Sequence, residues 1–144
     1  MTRFAGGPND SPGFLLWRAT MRWQRSLAAA LAPLDLTHVQ FVLLACAWWA
    51  GEEGEHLNQV QLAGSAGIDV KMTSEVVRRL ETKGLLRRVA DPVDARSKVI
   101  EVTPSGADAA RRSIEIVEAA DAEFFGAAEE SRLVALLRSL GGVA

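Results

Sequence analysis

The sequence predicts a mainly α-helical fold with one small β-hairpin in a single domain. Three observations carry that expectation. Apolar residues recur at helical spacing over most of the chain, two short β-rich runs flank a loop containing proline and aspartate, and helix start and stop signals fall between the periodic stretches. The 144 residues match the roughly 100 to 200 of one domain.

Residues 1–12 contain Gly6, Gly7, Pro8, Asn9, Asp10 and Pro12, the composition of a flexible N-terminal arm. Phe14 to Leu31 reads as a helix with Arg18, Arg22 and Arg25 on one stripe. Leu16, Trp23, Leu27 and Leu31 share one apolar face and Phe14, Trp17, Met21 and Ala28 another, so two partners are needed. Thr37 is an N-cap for a helix from Val39 to Ala50 that ends at Gly51. Its nearly continuous apolar surface predicts burial on every side, and it falls short of the roughly 20 residues that cross a membrane.

A short helix from Asn58 to Ala66 is expected to turn Val60, Leu62 and Ala63 inward. Gly67, Ile68 and Asp69 make a tight turn into a helix from Val70 to Lys83, which Gly84 closes. Thr73, Val76, Val77 and Leu80 form its inward stripe with Met72 at the edge, and Lys71, Ser74, Glu75, Arg78 and Thr82 lie opposite. Leu85 to Ala90 and Lys98 to Val102 then pair across the loop Asp91 to Ser97 as a hairpin. Thr103-Pro104 starts a long helix to about Phe125, with Ala107, Ala110, Ile114, Val117 and Phe124 in register. A final helix after Gly126 carries Leu133, Leu136, Leu137 and Leu140. Neither stripe finds an obvious partner beyond the first helix, which points to dimerisation.

Sixteen basic and eighteen acidic side chains give a net charge of −2, too little for a protein that coats nucleic acid by bulk charge. The distribution is uneven: residues 1–57 carry −1, residues 58–102 carry +2 and residues 103–144 carry −3. Residues 70–88 alone hold a surplus of +4 from Lys71, Arg78, Arg79, Lys83, Arg87 and Arg88 against Glu75 and Glu81. A lone cysteine, Cys46, and the lack of a leader-like start predict a reducing cytoplasm.

Helix, glycine-containing turn, helix and two-stranded hairpin, in that order, make a winged helix-turn-helix. The expected organisation is a flexible arm at 1–12, a dimerisation helix at 13–36, a winged DNA-binding unit at 37–102 and C-terminal dimerisation helices at 103–144. A B-DNA major groove accepts a helix whose N-terminal side chains reach base edges. Lys71 and Ser74 are then expected at the bases, and Arg78, Arg79 and the Thr73 hydroxyl nearer the phosphates. Arg96 at the wing tip suits the negative minor groove, with Asp94 holding it and Lys98 close by.

The residues Leu62-Ala63, Gly67, Met72-Thr73-Ser74 and Val77 through Leu86, followed by Asp91 to Arg96 and Thr103 to Gly106, resemble the MarR family of winged-helix transcription factors. The likeness covers about residues 37–106. Its wing motif, Asp-x-Arg, is Asp94-Ala95-Arg96, and its leucine, acidic, basic and glycine pattern is Leu80, Glu81, Lys83 and Gly84. The resemblance implies a homodimer built from the first and last helices, a pseudo-palindromic operator, and release of DNA by a small aromatic ligand or an oxidant. Glu75 departs from the basic residue many relatives carry there. It either pairs with Lys71 or Arg79 along the helix or accepts a hydrogen bond from cytosine N4.

Cys46 lies among Leu43, Ala45 and Ala47 with no basic neighbour, as an inert buried thiol would. His38 and His56 have no partners at metal-ligand spacing, so no metal or cofactor is expected. Trp17, Trp23, Trp48 and Trp49 are chiefly core candidates, while a pocket between the first two helices and the long helix after the wing would place Trp17, Trp48 and His38 against a planar aromatic effector. No Ser/His/Asp set, phosphate loop or buried carboxylate pair suggests an enzyme. The rival to a DNA-binding regulator is a winged helix that contacts protein or senses a small molecule without binding DNA.

Overall fold

The computed structural model describes residues 1–126 and 128–143. Pro12 at the first helical position and Ser11, whose hydroxyl accepts from Phe14 N–H at 3.4 Å, start helix α1 at Pro12–Leu31. Before it, Gly7–Asp10 form a 3-10 turn where the composition suggests only an arm, because Asp10 accepts from the Gly6 amide at 2.9 Å.

Helix α2, His38–Glu52, begins with a capping box in which Thr37 accepts from Gln40 N–H and Gln40 from Thr37 N–H, each at 3.2 Å. Helices α3, Gln59–Ala66, and α4, Val70–Thr82, follow, then strands β1, Leu86–Ala90, and β2, Lys98–Val102, and helices α5, Pro104–Phe125, and α6, Glu130–Gly141. The strands pair antiparallel with Leu86 opposite Val102 and Arg88 opposite Ile100. Leu57 adds one bridge, its carbonyl accepting from Ile100 N–H at 2.7 Å, which ties the wing's base to the segment before α3. Leu27 and Leu31 of α1, Leu43 and Leu44 of α2, Leu62 of α3, Val77 and Leu80 of α4, Leu86 and Ile100 of the wing, and Ala110 and Val117 of α5 close one core. No single helix among the described residues is long and apolar enough to cross a membrane.

Several packing expectations change. Helix α2 is not buried on every side: Leu43, Leu44 and Ala47 are, but Trp49 is 61% exposed because α3, α4 and α5 leave one sector open. Val60 is exposed rather than inward, since it lies roughly 200° around the helix from buried Leu62. The apolar surface of α1 divides along its length: Leu27 and Leu31 near its end are buried, whereas Leu16 and Trp17 near its start are exposed. Helix α6 buries none of its residues, leaving Leu136, Leu137 and Leu140 in solvent.

Candidate nucleic-acid interface

Gly67 adopts φ +73°, a left-handed conformation that glycine takes without steric cost, and the next amide, Ile68, closes back on the Ala63 carbonyl at 3.1 Å. Asp69 then caps α4 by accepting from Met72 N–H at 2.7 Å, a role that an aspartate directly before Val70 signals in the sequence. The turn and cap aim α4 with Thr73, Val76, Val77 and Leu80 inward.

The outward line, at spacings of four, three and four, is Lys71, Glu75, Arg78 and Thr82, all exposed, with half-buried Ser74 and exposed Arg79 flanking it. Thr73 leaves the interface: it is fully buried and its hydroxyl donates to the Asp69 carbonyl at 2.9 Å, so it cannot reach a phosphate. Glu75 forms no ion pair with Lys71 or Arg79 and stands beside Arg78 and Arg79 in a shallow depression on the outward face.

The basic surplus splits in two. Arg87 pairs with Glu101, its cross-strand partner, and Arg88 with Glu81 at 3.0 Å. Among the described residues Lys71, Arg78, Arg79 and Lys98 have no acidic partner within ion-pair distance. The wing loop is braced from within: Asp91 accepts from Val93 N–H at 2.8 Å, and Asp94 accepts from both the backbone and the guanidinium of Arg96 at 3.1 Å. Those two Arg96 bonds, side chain first, hold the Asp94 carboxyl below the usual aspartate range. The Arg96 side chain itself is 92% exposed at the tip.

A second concavity opens between α2, α3 and α5, a cleft of about 770 Å³ lined by Cys46, Trp48, Trp49, Ile114 and the carboxylates of Glu53, Glu55 and Glu118. Of the three residues expected at an effector, only Trp48 is there. Trp17 is solvent-facing on the first half of α1, and His38 is packed edge-on against Trp23 at 4.9 Å. Trp23 Nε1 donates to Asp121 Oδ1 at 2.7 Å, a bond 98 residues apart in sequence that joins α1 to α5 and that no local pattern could reveal. Burial lowers the His38 pKa from the ordinary histidine value, partly opposed by the Asp121 charge. Burial likewise pushes the Cys46 thiol up, partly offset by Ser65, which disfavours the reactive thiolate.

A glycine-hinged helix pair, an outward cationic helix and a two-stranded wing define a winged helix-turn-helix protein. The sequence model of the MarR family matches residues 36–98. The chain is 47% identical to the HTH-type transcriptional regulator YdcH of Bacillus subtilis (strain 168) over 122 residues, covering 85% of this chain and 83% of that one. It superposes on CouR of Rhodococcus jostii RHA1 bound to p-coumaroyl-CoA with a TM-score of 0.83 at 28% identity, over 94% of each chain. Against a mutant MarR from E. coli complexed with operator DNA the TM-score is 0.76 at 26% identity, over 89% of this chain and 91% of that one. The chain belongs to the MarR family of transcriptional regulators.

Proposed function

We propose that this protein is a ligand-responsive transcriptional repressor that binds a pseudo-palindromic operator as a homodimer. The winged unit at 37–102 contacts DNA, and the helices of 13–36 and 103–144 join the two protomers. The observation that carries the reading is the split of the basic side chains. Those on the outward face of α4 and at Lys98 are left without acidic partners among the described residues, while Arg87 and Arg88 beside them are neutralised by the protein. Unpaired cations on a helix that fits a major groove are the chemistry of phosphate and base contact.

In this reading Lys71 and Ser74 read bases near the start of α4, with Glu75 between them and Arg78. Arg78, Arg79 and Lys98 hold phosphates, and Arg96 enters the adjoining minor groove on its Asp94 brace. Repression follows from occupying promoter DNA, a binding role with no catalytic step. The cleft beside Trp48 takes the effector: its volume lies in the range of small-molecule sites, and its indole rings suit a planar aromatic compound.

Fluorescence anisotropy with duplexes flanking the protein's own gene tests the assignment. Log affinity is expected to fall linearly with log salt, and Arg96→Ala to weaken binding by about 1–3 kcal/mol and lower the slope by about one, with the fold intact. A protein that ignores every duplex at low ionic strength is not a DNA-binding regulator, and unchanged affinity in Arg96→Ala removes the wing from the interface.

A further inference from the structure

Lys83 belongs to the basic surplus of residues 70–88, yet it does not face outward with Arg78. Its ammonium donates to the Asp35 carbonyl and, at 2.9 Å, to Gln40 Oε1, with the Asp35 carboxylate at 3.6 Å. Both acceptors belong to the corner that leads from α1 into α2. Asp35 is the one non-glycine residue with positive φ among the described residues, at +54°. Gln40, 6% exposed, is the same side chain that completes the α2 capping box, so one buried amide oxygen serves the corner's backbone and Lys83 together.

The next two residues are held from the other side. Gly84, at φ +75°, closes α4 with its amide on the Glu81 carbonyl and the Leu85 amide on the Leu80 carbonyl, each at 2.9 Å. The Gly84 carbonyl accepts from the Thr103 hydroxyl at 2.6 Å and the Leu85 carbonyl from Thr103 N–H at 3.1 Å, both at the start of α5. Gly106, one turn into α5, lies so close that an added Cβ would collide with the Leu85 carbonyl oxygen. Residues 83–85 are therefore clamped between the α1–α2 corner and the beginning of α5.

We propose that Lys83 is a positioning residue for operator recognition: through Asp35 and Gln40 it fixes the angle between α4 and the terminal helices, and so the separation of the two α4 helices in the dimer. The proposal rests on the dimeric DNA-binding reading above. Half-sites lie about one helical turn apart, so a loosened angle relaxes the demanded spacing without changing what each helix touches. The Leu80-Glu81-x-Lys83-Gly84 pattern then acts as a joint: Glu81 holds Arg88 of the wing, Lys83 the α1–α2 corner, and Gly84 the bend between them.

The test uses the full chain and a palindromic duplex selected by the wild type from a randomised library, with its half-site separation then changed by one base pair. The wild type is expected to lose about tenfold in affinity on that change, the scale of one mismatched base pair. Lys83→Met, which keeps the stem and removes the ammonium, should lose only about twofold, with affinity for an isolated half-site and the salt slope as in the wild type. A uniform loss on all duplexes with a slope lower by about one makes Lys83 a phosphate contact and overturns the proposal, as does an undiminished spacing penalty.

Gln40→Glu keeps the cap acceptor and adds a counter-charge to Lys83, so it should steepen the spacing penalty; no change counts against the joint. A readout free of DNA separates this proposal from the one it rests on. With nitroxide labels at Thr82→Cys in a Cys46→Ser background, the distance distribution between protomers should broaden in Lys83→Met. An unchanged distribution overturns the joint, whereas a wild type that selects no duplex overturns the DNA-binding reading and with it the role in operator recognition, leaving the label distances to decide the joint by themselves.

Discussion

The winged unit and the terminal helices meet water in opposite ways. Between Thr37 and Val102 the inward stripes of α2, α3 and α4 are buried against one another, and the arginines of β1 are paired. In α6 no residue is buried, and in the first half of α1 the side chains Phe14, Leu15, Leu16 and Trp17 stand in solvent. A single protomer is thus finished where it would touch DNA and unfinished where it would touch a second copy. Exposed apolar runs of this kind mark an association face. The recognition unit is therefore expected to hold its shape within one protomer, on the core it shares with the end of α1 and with α5, and the start of α1 and α6 to be covered by pairing.

Substitutions on the two sides should show in different measurements. The largest effect is expected from Leu43→Ala, fully buried in α2, a loss of about 3 kcal/mol of folding stability in urea denaturation, because a cavity opens where α2 meets the core. A change under about 1 kcal/mol would mean that α2 is not the central core helix that the burial of Leu43, Leu44 and Ala47 makes it. Next comes Leu140→Ser in α6, where Leu140 is 69% exposed. Sedimentation should show dimer association weakened by about 2 kcal/mol, roughly thirtyfold, with the folding of the winged unit preserved. A dimer that survives unaltered would place the interface elsewhere.

The smallest effect lies where the two regions join, at His38. Its folded pKa is below the ordinary 6.5, so the unfolded chain takes the proton more readily. Stability is accordingly full above the ordinary value and declines as pH falls through it. Melting temperature should drop between about pH 7.5 and about pH 5.5, and the drop should be smaller in His38→Gln. An equal drop in both proteins would leave His38 without a part in it.

Most of the fold was legible because its signals are local. Thr37, Gly67, Gly84 and Thr103-Pro104 mark element ends by backbone chemistry that acts within a few residues, and the boundaries of β1 and β2 follow from turn residues on either side of the hairpin. The outward face of α4 was legible for the same reason, since four apolar-facing residues at helical spacing define its opposite. Thr73 shows the limit: a hydroxyl on the inward stripe can satisfy itself on the Asp69 carbonyl, and only the three-dimensional packing reveals that it does.

What stayed hidden depends on distant pairs. The assignment of Arg87 to Glu101 needs strand register, that of Lys83 to Gln40 needs the path of the α1–α2 corner, and that of Trp23 to Asp121 needs α1 laid along α5. Trp17 missed the cleft because it opens between α2, α3 and α5, away from α1, and His38 because it begins α2 while the cleft is lined by Cys46, Trp48 and Trp49 near that helix's other end; periodicity along one helix says nothing about which neighbour leaves a gap.

The chain contains four tryptophans and no tyrosine, so its near-ultraviolet emission comes from indole alone. Trp17 lies in solvent on the bare half of α1, Trp49 lines the cleft, and Trp23 is locked to a carboxylate between helices. Pairing of protomers and filling of the cleft would therefore each dim or shift a different lamp, and the molecule can be followed in solution by its own light, without a dye.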